Sequence, residues 1–146
     1  MKIDIINKRQ RILVTGGAGF IGGCFIRRIL RDTNSIVFNL DKLSYASDLS
    51  GIRECKNNKN HVLLKADLSN YQETEKAIIE SNPDLIIHLA AESHVDRSIE
   101  NSTPFIQSNI IGTFNILEAT RKHFNNLKFS RRELFRFLHV STDEVF

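Results

Sequence analysis

Two adjacent carboxylic acids, Asp143 and Glu144, directly follow an apolar segment of the chain. Aspartate and glutamate are among the side chains that enzymes use to donate and remove protons, and such a pair must hold its two members in opposite protonation states. Composition alone favours the alternative that they are solvated groups at the end of a strand. The surrounding motifs must therefore decide between the two interpretations.

A second group of residues has the spacing of a phosphate-binding loop. Gly16, Gly19 and Gly22 form a G-x-x-G-x-x-G pattern between an apolar, β-branched segment and a segment of helical periodicity. Pyrophosphate bound at a helix N-terminus needs bare N–H groups, close approach without Cβ atoms, and tight packing of helix on strand, which glycines allow. Three glycines alone indicate only a turn, but the strand and helix around them favour dinucleotide binding.

Asp41 supports the same interpretation. It ends the second apolar segment 19 positions after Gly22, close to the separation of about 20 residues expected for the acid that binds the adenosine ribose. A carboxylate there repels a ribose 2′-phosphate, so NAD is predicted as the cofactor rather than NADP. Lys42, the next residue, weakens that preference slightly.

The elements that would position these residues alternate along the chain. Strands are predicted over residues 11–15, 36–40, 62–64, 85–90 and 136–140. Helices are predicted from residue 20, over about 69–80, and over about 103–123. Ser69 with Gln72 is expected to form a capping box, and Thr103 to cap the long helix ahead of Pro104. The polar segment 125–133 is expected to be a surface loop or a short helix.

Apolar strands that alternate with helices indicate a parallel sheet covered on both faces. The predicted fold is therefore α/β, a Rossmann-like doubly wound parallel sheet of order 3-2-1-4-5. We expect residues 1–10 to be an N-terminal extension and 11–146 an NAD-binding domain. An uncovered fifth strand predicts self-association, as a homo-oligomer or otherwise.

The composition is that of an ordinary globular domain. Hydrophobic residues make up 41% and charged residues 25%, and the net charge of +3 is scattered rather than clustered, which argues against nucleic-acid binding. The sequence shows no signal-peptide pattern and no apolar run of eighteen residues, so no membrane association is predicted. Cys24, Cys55, His88 and His94 lack metal-ligand spacing, so reduced thiols, no metal and a cytoplasmic location are expected.

Several motifs together resemble a known family. The segment 15–22 resembles the glycine signature of the extended short-chain dehydrogenase/reductases. The segments 41–45, 88–98 and 141–145 resemble, more specifically, the dTDP-glucose 4,6-dehydratases within that family. The resemblance covers nearly the whole chain from Arg11 onward, and the last two motifs are far more specific than the glycines.

This resemblance implies a role for each matching position. The residues expected at the cofactor are Gly16, Gly19, Phe20, Ile21 and Gly22 at the pyrophosphate, Asp41, Lys42, Leu43 and Ser44 at the adenosine ribose, Asp67 and Leu68 at the adenine, Leu89, Ala90 and Ala91 on the path to the nicotinamide, and Ser108 from the long helix. Ser93 and Thr142 are expected to contact the sugar of the substrate. The alternatives are that Asp67 caps a turn, that Ser93 and Ser108 satisfy backbone groups, and that residues 89–91 are strand core. Threonine is usual at position 108, and tyrosine at position 146.

The implied reaction converts dTDP-glucose to dTDP-4-keto-6-deoxyglucose with NAD. Hydride leaves C4 of the sugar and is returned to C6, and the intermediate ketone acidifies the C5 hydrogen so that water can be lost. By resemblance, Asp143 is the acid that protonates the departing C6 hydroxyl, and Glu144 is the base. Consecutive strand residues point to opposite faces, so both reach one sugar only if the chain turns at residues 142–144.

The family oxidises C4 with a tyrosine that has a lysine four residues later. Tyr45 and Tyr71 are followed at that spacing by Leu49 and Glu75. The resemblance therefore implies that this chain is the N-terminal portion of a dehydratase, with a sheet truncated after the fifth strand. The NAD-binding domain of residues 11–146 is then incomplete, the substrate domain is absent, and we expect the chain to be inactive by itself. Two alternatives stay open: a nucleotide-sugar epimerase of the same superfamily, which needs no dehydration pair, and a non-catalytic NAD-binding module.

Overall fold

The computed structural model describes residues 9–44, 47, 52, 53, 55 and 57–141. The strands are β1 (Arg11–Thr15), β2 (Ile36–Asp41), β3 (His61–Lys65), β4 (Leu85–His88) and β5 (Arg136–His139). The helices are α1 (Phe20–Asp32), α2 (Tyr71–Ser81), α3 (Val95–Glu100), α4 (Thr103–Phe105), a π-helical segment (Ile106–Gly112), α5 (Thr113–Asn126) and α6 (Phe129–Arg132).

The five strands form one parallel sheet in the order β3-β2-β1-β4-β5, which confirms the predicted Rossmann-like order. The central strand β1 pairs with β2 on one side and with β4 on the other, with Ile12 opposite both Val37 and Leu85. The strands β2 and β3 therefore lie on one side of β1, and β4 and β5 lie on the other. Ligands of open α/β sheets bind at such a switch point, beyond the carboxyl ends of the strands.

Two hydrophobic clusters, one on each face of the sheet, form the core. Alternate residues of each strand point to opposite faces, so Val14 packs with Ile26 of α1, whereas Leu13 packs with Ile78 of α2 and Ile116 of α5. Each fully buried side chain of this size stabilises the fold by about 1.5–3 kcal/mol. Both faces of the central strands are thus covered, as a continuous apolar strand requires.

The edge strand β5 is the least buried strand of the sheet, in keeping with the expected uncovered fifth strand. Of its four residues, only Phe137 packs against the core, and Leu138 remains 51% exposed. Its register is nevertheless regular, with His139 opposite His88 of β4. Strand β5 therefore ends at the same edge of the sheet as the carboxyl ends of β1 and β4.

The N-cap of α2 lies one residue later than the sequence analysis proposed. Asn70, and not Ser69, caps the helix, since the Asn70 side chain accepts hydrogen bonds from the N–H groups of Gln72 and Glu73. Glu73 accepts a hydrogen bond from the side-chain Nδ2 of Asn70 at 3.3 Å, whereas the main-chain N–H of Asn70 donates to the carbonyl oxygen of Asp67, so the reciprocal bond of a capping box is not made. Sequence reasoning missed this because serine and asparagine are about equally good N-cap residues and stand side by side here.

The long helix is present but is neither capped nor wound as expected. Thr103 is its first residue rather than its cap, and its N–H donates to Oδ1 of Asn101 at 3.1 Å. Helical backbone continues without a break through the seven-residue π-helical segment into α5. Widened turns of this kind occur frequently at functional sites, and Ser108 lies within this one. Helix α3 was not predicted. In segment 125–133, for which a surface loop or a short helix was expected, α6 is the short helix.

Candidate dinucleotide-binding cleft

A cleft opens at the carboxyl ends of β1, β2, β3 and β4, where the fold predicts a ligand site. Eleven of the residues proposed for the cofactor line it, namely Gly16, Gly19, Asp41, Lys42, Ser44, Asp67, Leu68, Leu89, Ala90, Ala91 and Ser108. Four lining residues were not proposed: Leu40, Ser47, Ala66 and Glu92. Leu40 directly precedes Asp41, and Ala66 directly precedes Asp67. Their positions as the last apolar residues before these acids were the signal that could have predicted them.

The glycine turn at the floor of the cleft depends on the absence of side chains. Gly16 has a φ of +69°, and a Cβ at this position would lie 2.8 Å from Cα of Ala90 in the segment after β4. A Cβ on Gly22 would lie 2.7 Å from Cα of Gly17. The first glycine thus permits the turn and the approach of β4, and Gly22 lets α1 pack against the turn. The cradle therefore has the shape that a pyrophosphate needs.

The N-terminus of α1 faces this cradle with an uncapped first turn. Gly19 is the N-cap and offers no side chain, and the first turn holds no acidic residue. The first N–H groups of a helix lack intrahelical acceptors, and the helix dipole adds partial positive charge there. The side chains of Phe20 and Ile21 point away into solvent, with exposed fractions of 95% and 64%. Any part they play at the pyrophosphate would come from their main-chain N–H groups.

Asp41 joins the glycine turn to the segment after β2. Its Oδ2 accepts a hydrogen bond from the N–H of Ala18 at 3.0 Å, and its Oδ1 accepts from the N–H of Leu43 at 2.8 Å and from Oγ of Ser47 at 2.9 Å. A carboxylate can accept about four hydrogen bonds, so capacity remains for a ribose hydroxyl. Leu43 has a φ of +57° and takes part through its backbone rather than by lining the cleft.

Lys42 crosses the cleft to reach residues far away in sequence. Its Nζ lies 2.8 Å from Oε1 of Glu92 and 3.0 Å from Oγ of Ser108. Asn109 holds the main chain of Glu92 from both sides, since its Oδ1 accepts from the Glu92 N–H at 2.8 Å and its Nδ2 donates to the Glu92 carbonyl at 2.9 Å. Glu92 was missed by the sequence analysis. Its position shortly after an apolar strand was the available signal.

Asp67, which was expected at the adenine or as the cap of a turn, takes part in both the cleft and a turn. Its side chain lines the cleft, and its Oδ1 also accepts from the N–H of Ser69 at 2.9 Å, which makes it a turn cap as well. Leu68 is buried, and its carbonyl accepts from Nδ2 of Asn115 at 2.8 Å. These contacts attach the segment after β3 to α5, so the floor of the cleft is rigidly supported.

A buried polar chain, unexpected from the sequence, lies beneath the cleft. Oγ1 of Thr15 is 2.6 Å from Nδ1 of His88, and Nε2 of His88 is 3.1 Å from Oγ1 of Thr113. Burial lowers the pKa of His88 to about 4, and the facing His139 is a second cause. His88 is thus a buried, neutral histidine that links β1, β4 and α5.

The substrate and catalytic predictions have less structural detail. Ser93 is exposed and is not among the cleft-lining residues, although it directly follows Glu92. Thr142, Asp143 and Glu144 lie outside the described residues, so the expected turn there and their roles stay predictions.

Among residues 9–44, 47, 52, 53, 55 and 57–141, no group of three or more His, Cys, Asp or Glu side chains could hold a metal ion. In the same ranges, no helix combines the length and the apolar character that crossing a membrane requires.

A doubly wound parallel sheet, a glycine turn at the first helix and an acid at the end of β2 define the class of Rossmann-type dinucleotide-binding domains. A family model described as GDP-mannose 4,6 dehydratase matches residues 13–146. The chain therefore belongs to that family.

Relatives within and around this family share both sequence and fold. The dTDP-glucose 4,6-dehydratase of Neisseria meningitidis serogroup B is 47% identical over 137 residues, which is 94% of this chain and 39% of the relative. The crystal structure of the dTDP-glucose 4,6-dehydratase of Streptomyces venezuelae, with NAD and TYD bound, gives a TM-score of 0.78 at 33% identity and covers 92% of this chain and 40% of that one. The UDP-glucose 4-epimerase of Thermus thermophilus, in complex with NAD, gives a TM-score of 0.66 at 32% identity over 77% of this chain and 34% of that one. These relatives confirm the resemblance drawn from the motifs, and the chain spans about two fifths of the length of the curated relative.

Proposed function

We propose that this chain binds NAD in the cleft and supplies the cofactor-binding part of a dTDP-glucose 4,6-dehydratase. The observation that carries the proposal is the combination of the Cβ-free cradle of Gly16 and Gly22 with the Asp41 carboxylate at the end of the next strand. The proposed substrate is inferred from the similar enzyme of Neisseria meningitidis, which is a dTDP-glucose 4,6-dehydratase.

The residues of the cleft divide among the parts of the cofactor. The main-chain N–H groups at residues 19–22 would bind the pyrophosphate, and Asp41 would accept hydrogen bonds from the adenosine ribose. Asp67 and Leu68 would lie at the adenine, while residues 89–91 and Ser108 would line the way to the nicotinamide. NAD, when bound, supplies a reversible acceptor for hydride. The protein's part is to orient it and to exclude water from it.

The dehydration chemistry is proposed for residues beyond the described part of the chain. Asp143 would protonate the departing C6 hydroxyl and Glu144 would remove the C5 proton, while Ser93 and Thr142 would bind the sugar. The 146 residues contain no Tyr-x-x-x-Lys, so we propose that this chain binds NAD without turning over the sugar. Incubating the purified chain with NAD and dTDP-glucose tests this, because no 4-keto-6-deoxy product is expected.

The binding step can be tested with a substitution at the N-cap of α1. The backbone of Gly19 is extended, with φ of −80° and ψ of 173°, and a Cβ there would lie 3.2 Å from the carbonyl oxygen of Gly16, a close contact that requires a small shift of the turn. Gly19→Val should fill the space in front of the N-terminus of α1, and circular dichroism verifies that the variant is folded. Calorimetric titration should show NAD binding to the wild type and at least about tenfold weaker binding to Gly19→Val. Equal affinities, or no binding to the wild type, would contradict the proposal.

The epimerase of Thermus thermophilus has a similar fold, so a nucleotide-sugar epimerase is the second candidate. An epimerase returns hydride to the carbon from which it came and has no use for an acid–base pair at positions 143 and 144. Incubation with NAD and dTDP-glucose separates the possibilities by product. A 4-keto-6-deoxy sugar would show that the chain is active by itself, a C4 epimer would indicate the epimerase, and binding without product is the expected result.

A further inference from the structure

We propose that Glu92 is a specificity-determining residue, which discriminates against NADP by holding the ammonium group of Lys42 away from the ribose 2′-position. This inference rests on the proposed function, because it concerns which dinucleotide the same cleft accepts. It reverses the expectation from the sequence, in which Lys42 slightly weakens the preference for NAD.

The position of Lys42 makes it the natural partner of a 2′-phosphate. It directly follows Asp41, the residue proposed to bind the adenosine ribose, and a cation near that ribose is what accommodates a 2′-phosphate in dinucleotide-binding domains. In this structure, however, the Lys42 ammonium group is engaged on the other side of the cleft. Oε1 of Glu92 lies at 2.8 Å and Oγ of Ser108 at 3.0 Å from Nζ.

Glu92 is well placed to keep Lys42 there. Its side chain is 8% exposed, against 34% for Lys42, and the two hydrogen bonds to Asn109 fix its main chain. Separating a buried carboxylate from its cation is strongly unfavourable, because the charge is left without full compensation in a poorly solvated site. The ion pair therefore resists the movement of Lys42 toward an incoming phosphate.

The consequence for cofactor choice follows from the charges that remain. Among the described residues that line the cleft, Lys42 is the one Lys or Arg, and Glu92 pairs with it. The Asp41 carboxylate beside it is held by Ala18, Leu43 and Ser47, so a 2′-phosphate would meet this negative charge while the lysine is engaged elsewhere. Neutralising Glu92 should release Lys42 and thereby offer the phosphate a partner.

The test compares NAD and NADP affinities in matched variants of the full chain. Glu92→Gln keeps the shape and the main-chain contacts of the residue but removes its charge. We expect the ratio of NADP affinity to NAD affinity to rise about tenfold in Glu92→Gln at low ionic strength. The ratio should return to the wild-type value in the double variant Lys42→Met/Glu92→Gln, because the effect acts through Lys42. Circular dichroism of each variant verifies that it is folded.

The outcomes separate this inference from the function on which it rests. Wild-type protein that binds NAD, together with an unchanged affinity ratio in Glu92→Gln, overturns the role of Glu92 alone. A ratio that rises equally in the double variant also overturns it, since Lys42 would then be irrelevant. Wild-type protein that binds neither dinucleotide overturns the proposed function and this inference with it.

Discussion

Oγ1 of Thr15 lies 2.6 Å from Nδ1 of His88, and this contact joins the central strand β1 to β4 just below the cleft. The Thr15 hydroxyl also accepts hydrogen bonds from the N–H groups of Leu89 and Ala90, each at 3.2 Å. Because these two donors occupy its lone pairs, its own proton must point to Nδ1 of His88. His88 is then protonated on Nε2, which donates to Thr113 at 3.1 Å. The segment proposed to lie beside the cofactor is thus held by a hydroxyl that a buried neutral histidine orients.

Thr15→Val should destabilise the protein much more than Thr113→Val. Both changes replace a hydroxyl with a methyl group of similar size, but the first leaves Nδ1 of His88 and the Ala90 N–H without their partner in a buried site. Unsatisfied buried groups cost about 1–3 kcal/mol each. We therefore expect a loss of about 2 kcal/mol or more for Thr15→Val, which leaves two such groups, and about half that loss for Thr113→Val, which leaves only Nε2 of His88 without its partner. Urea unfolding measures both values. Equal losses would contradict the assigned direction of the hydrogen bonds.

The free energy of unfolding should fall as the pH decreases from 6.5 to 4. The pKa of His88 is lowered from 6.5 to about 4, first by burial and then by the charge of His139. Between pH 6.5 and 4, His88 is protonated in the unfolded chain but stays neutral in the folded protein. The stability present above pH 6.5 is therefore lost progressively toward pH 4.

The expected contribution of His88 is of the order of 3 kcal/mol, measured by urea unfolding at a series of pH values. His61 and His123, whose pKa values burial also lowers, act in the same direction, so the comparison is with His88→Gln. This variant cannot titrate at position 88 and should show a shallower loss between pH 6.5 and 4. An identical pH dependence in both proteins would exclude His88 as a source.

Replacing either of two neighbouring glycines of α1 with alanine should change the free energy of unfolding, but in opposite directions. An added Cβ at Gly22 would lie 2.7 Å from Cα of Gly17, whereas at Gly23 the nearest atom would be Cγ2 of Ile52 at 3.5 Å, an ordinary contact. We expect Gly22→Ala to lose about 3 kcal/mol through backbone overpacking. Gly23→Ala should gain about 0.5–1 kcal/mol from helix propensity. Thermal or urea unfolding of the pair is decisive, since a tolerated Gly22→Ala would mean that α1 does not need this close approach.

The cap of α2 can be assigned by a pair of alanine substitutions. Asn70 accepts the N–H groups of Gln72 and Glu73 at 3.0 and 3.2 Å, so Asn70→Ala should cost about 1 kcal/mol. Within the described part of the chain, the hydrogen bonds of Ser69 involve its main chain, and Ser69→Ala should stay within about 0.5 kcal/mol of wild type. A larger loss for Ser69→Ala in urea unfolding would restore the capping box proposed from the sequence.

Self-association, expected from the sequence, remains a prediction and now has a second surface to test. Ile106, Ile110, Phe114 and Leu117 follow one another by three or four positions along a continuous helix, and all are exposed. Side chains at this spacing share one helix face, which a second copy of the chain would cover. Ile110→Lys should therefore weaken association in sedimentation velocity. The control is Ile79→Lys, at an exposed isoleucine on α2, which should behave as wild type.

Local patterns were sufficient to predict most of the fold. The alternation of apolar strands with helices, and the glycines between β1 and α1, are encoded in neighbouring residues, so strand order and the position of the cleft were predicted correctly. Boundaries were less certain where adjacent residues compete, as Ser69 and Asn70 do for one cap. The π-helical winding around Ser108 has no comparable local signature and was not predicted.

The sequence by itself thus determined the class of fold, the edge of the sheet that bears the site and the acid that follows β2, because each depends on residues close together in the chain. Only the tertiary structure decided how these residues are neutralised and oriented. Lys42 and Glu92 are 50 positions apart, and Thr15 and His88 are 73 apart, so their contacts exist only once β4 lies beside β1. Charge pairing in the cleft and hydrogen-bond direction beneath it therefore depend on contacts that form only when β1, β2 and β4 lie together in the folded sheet.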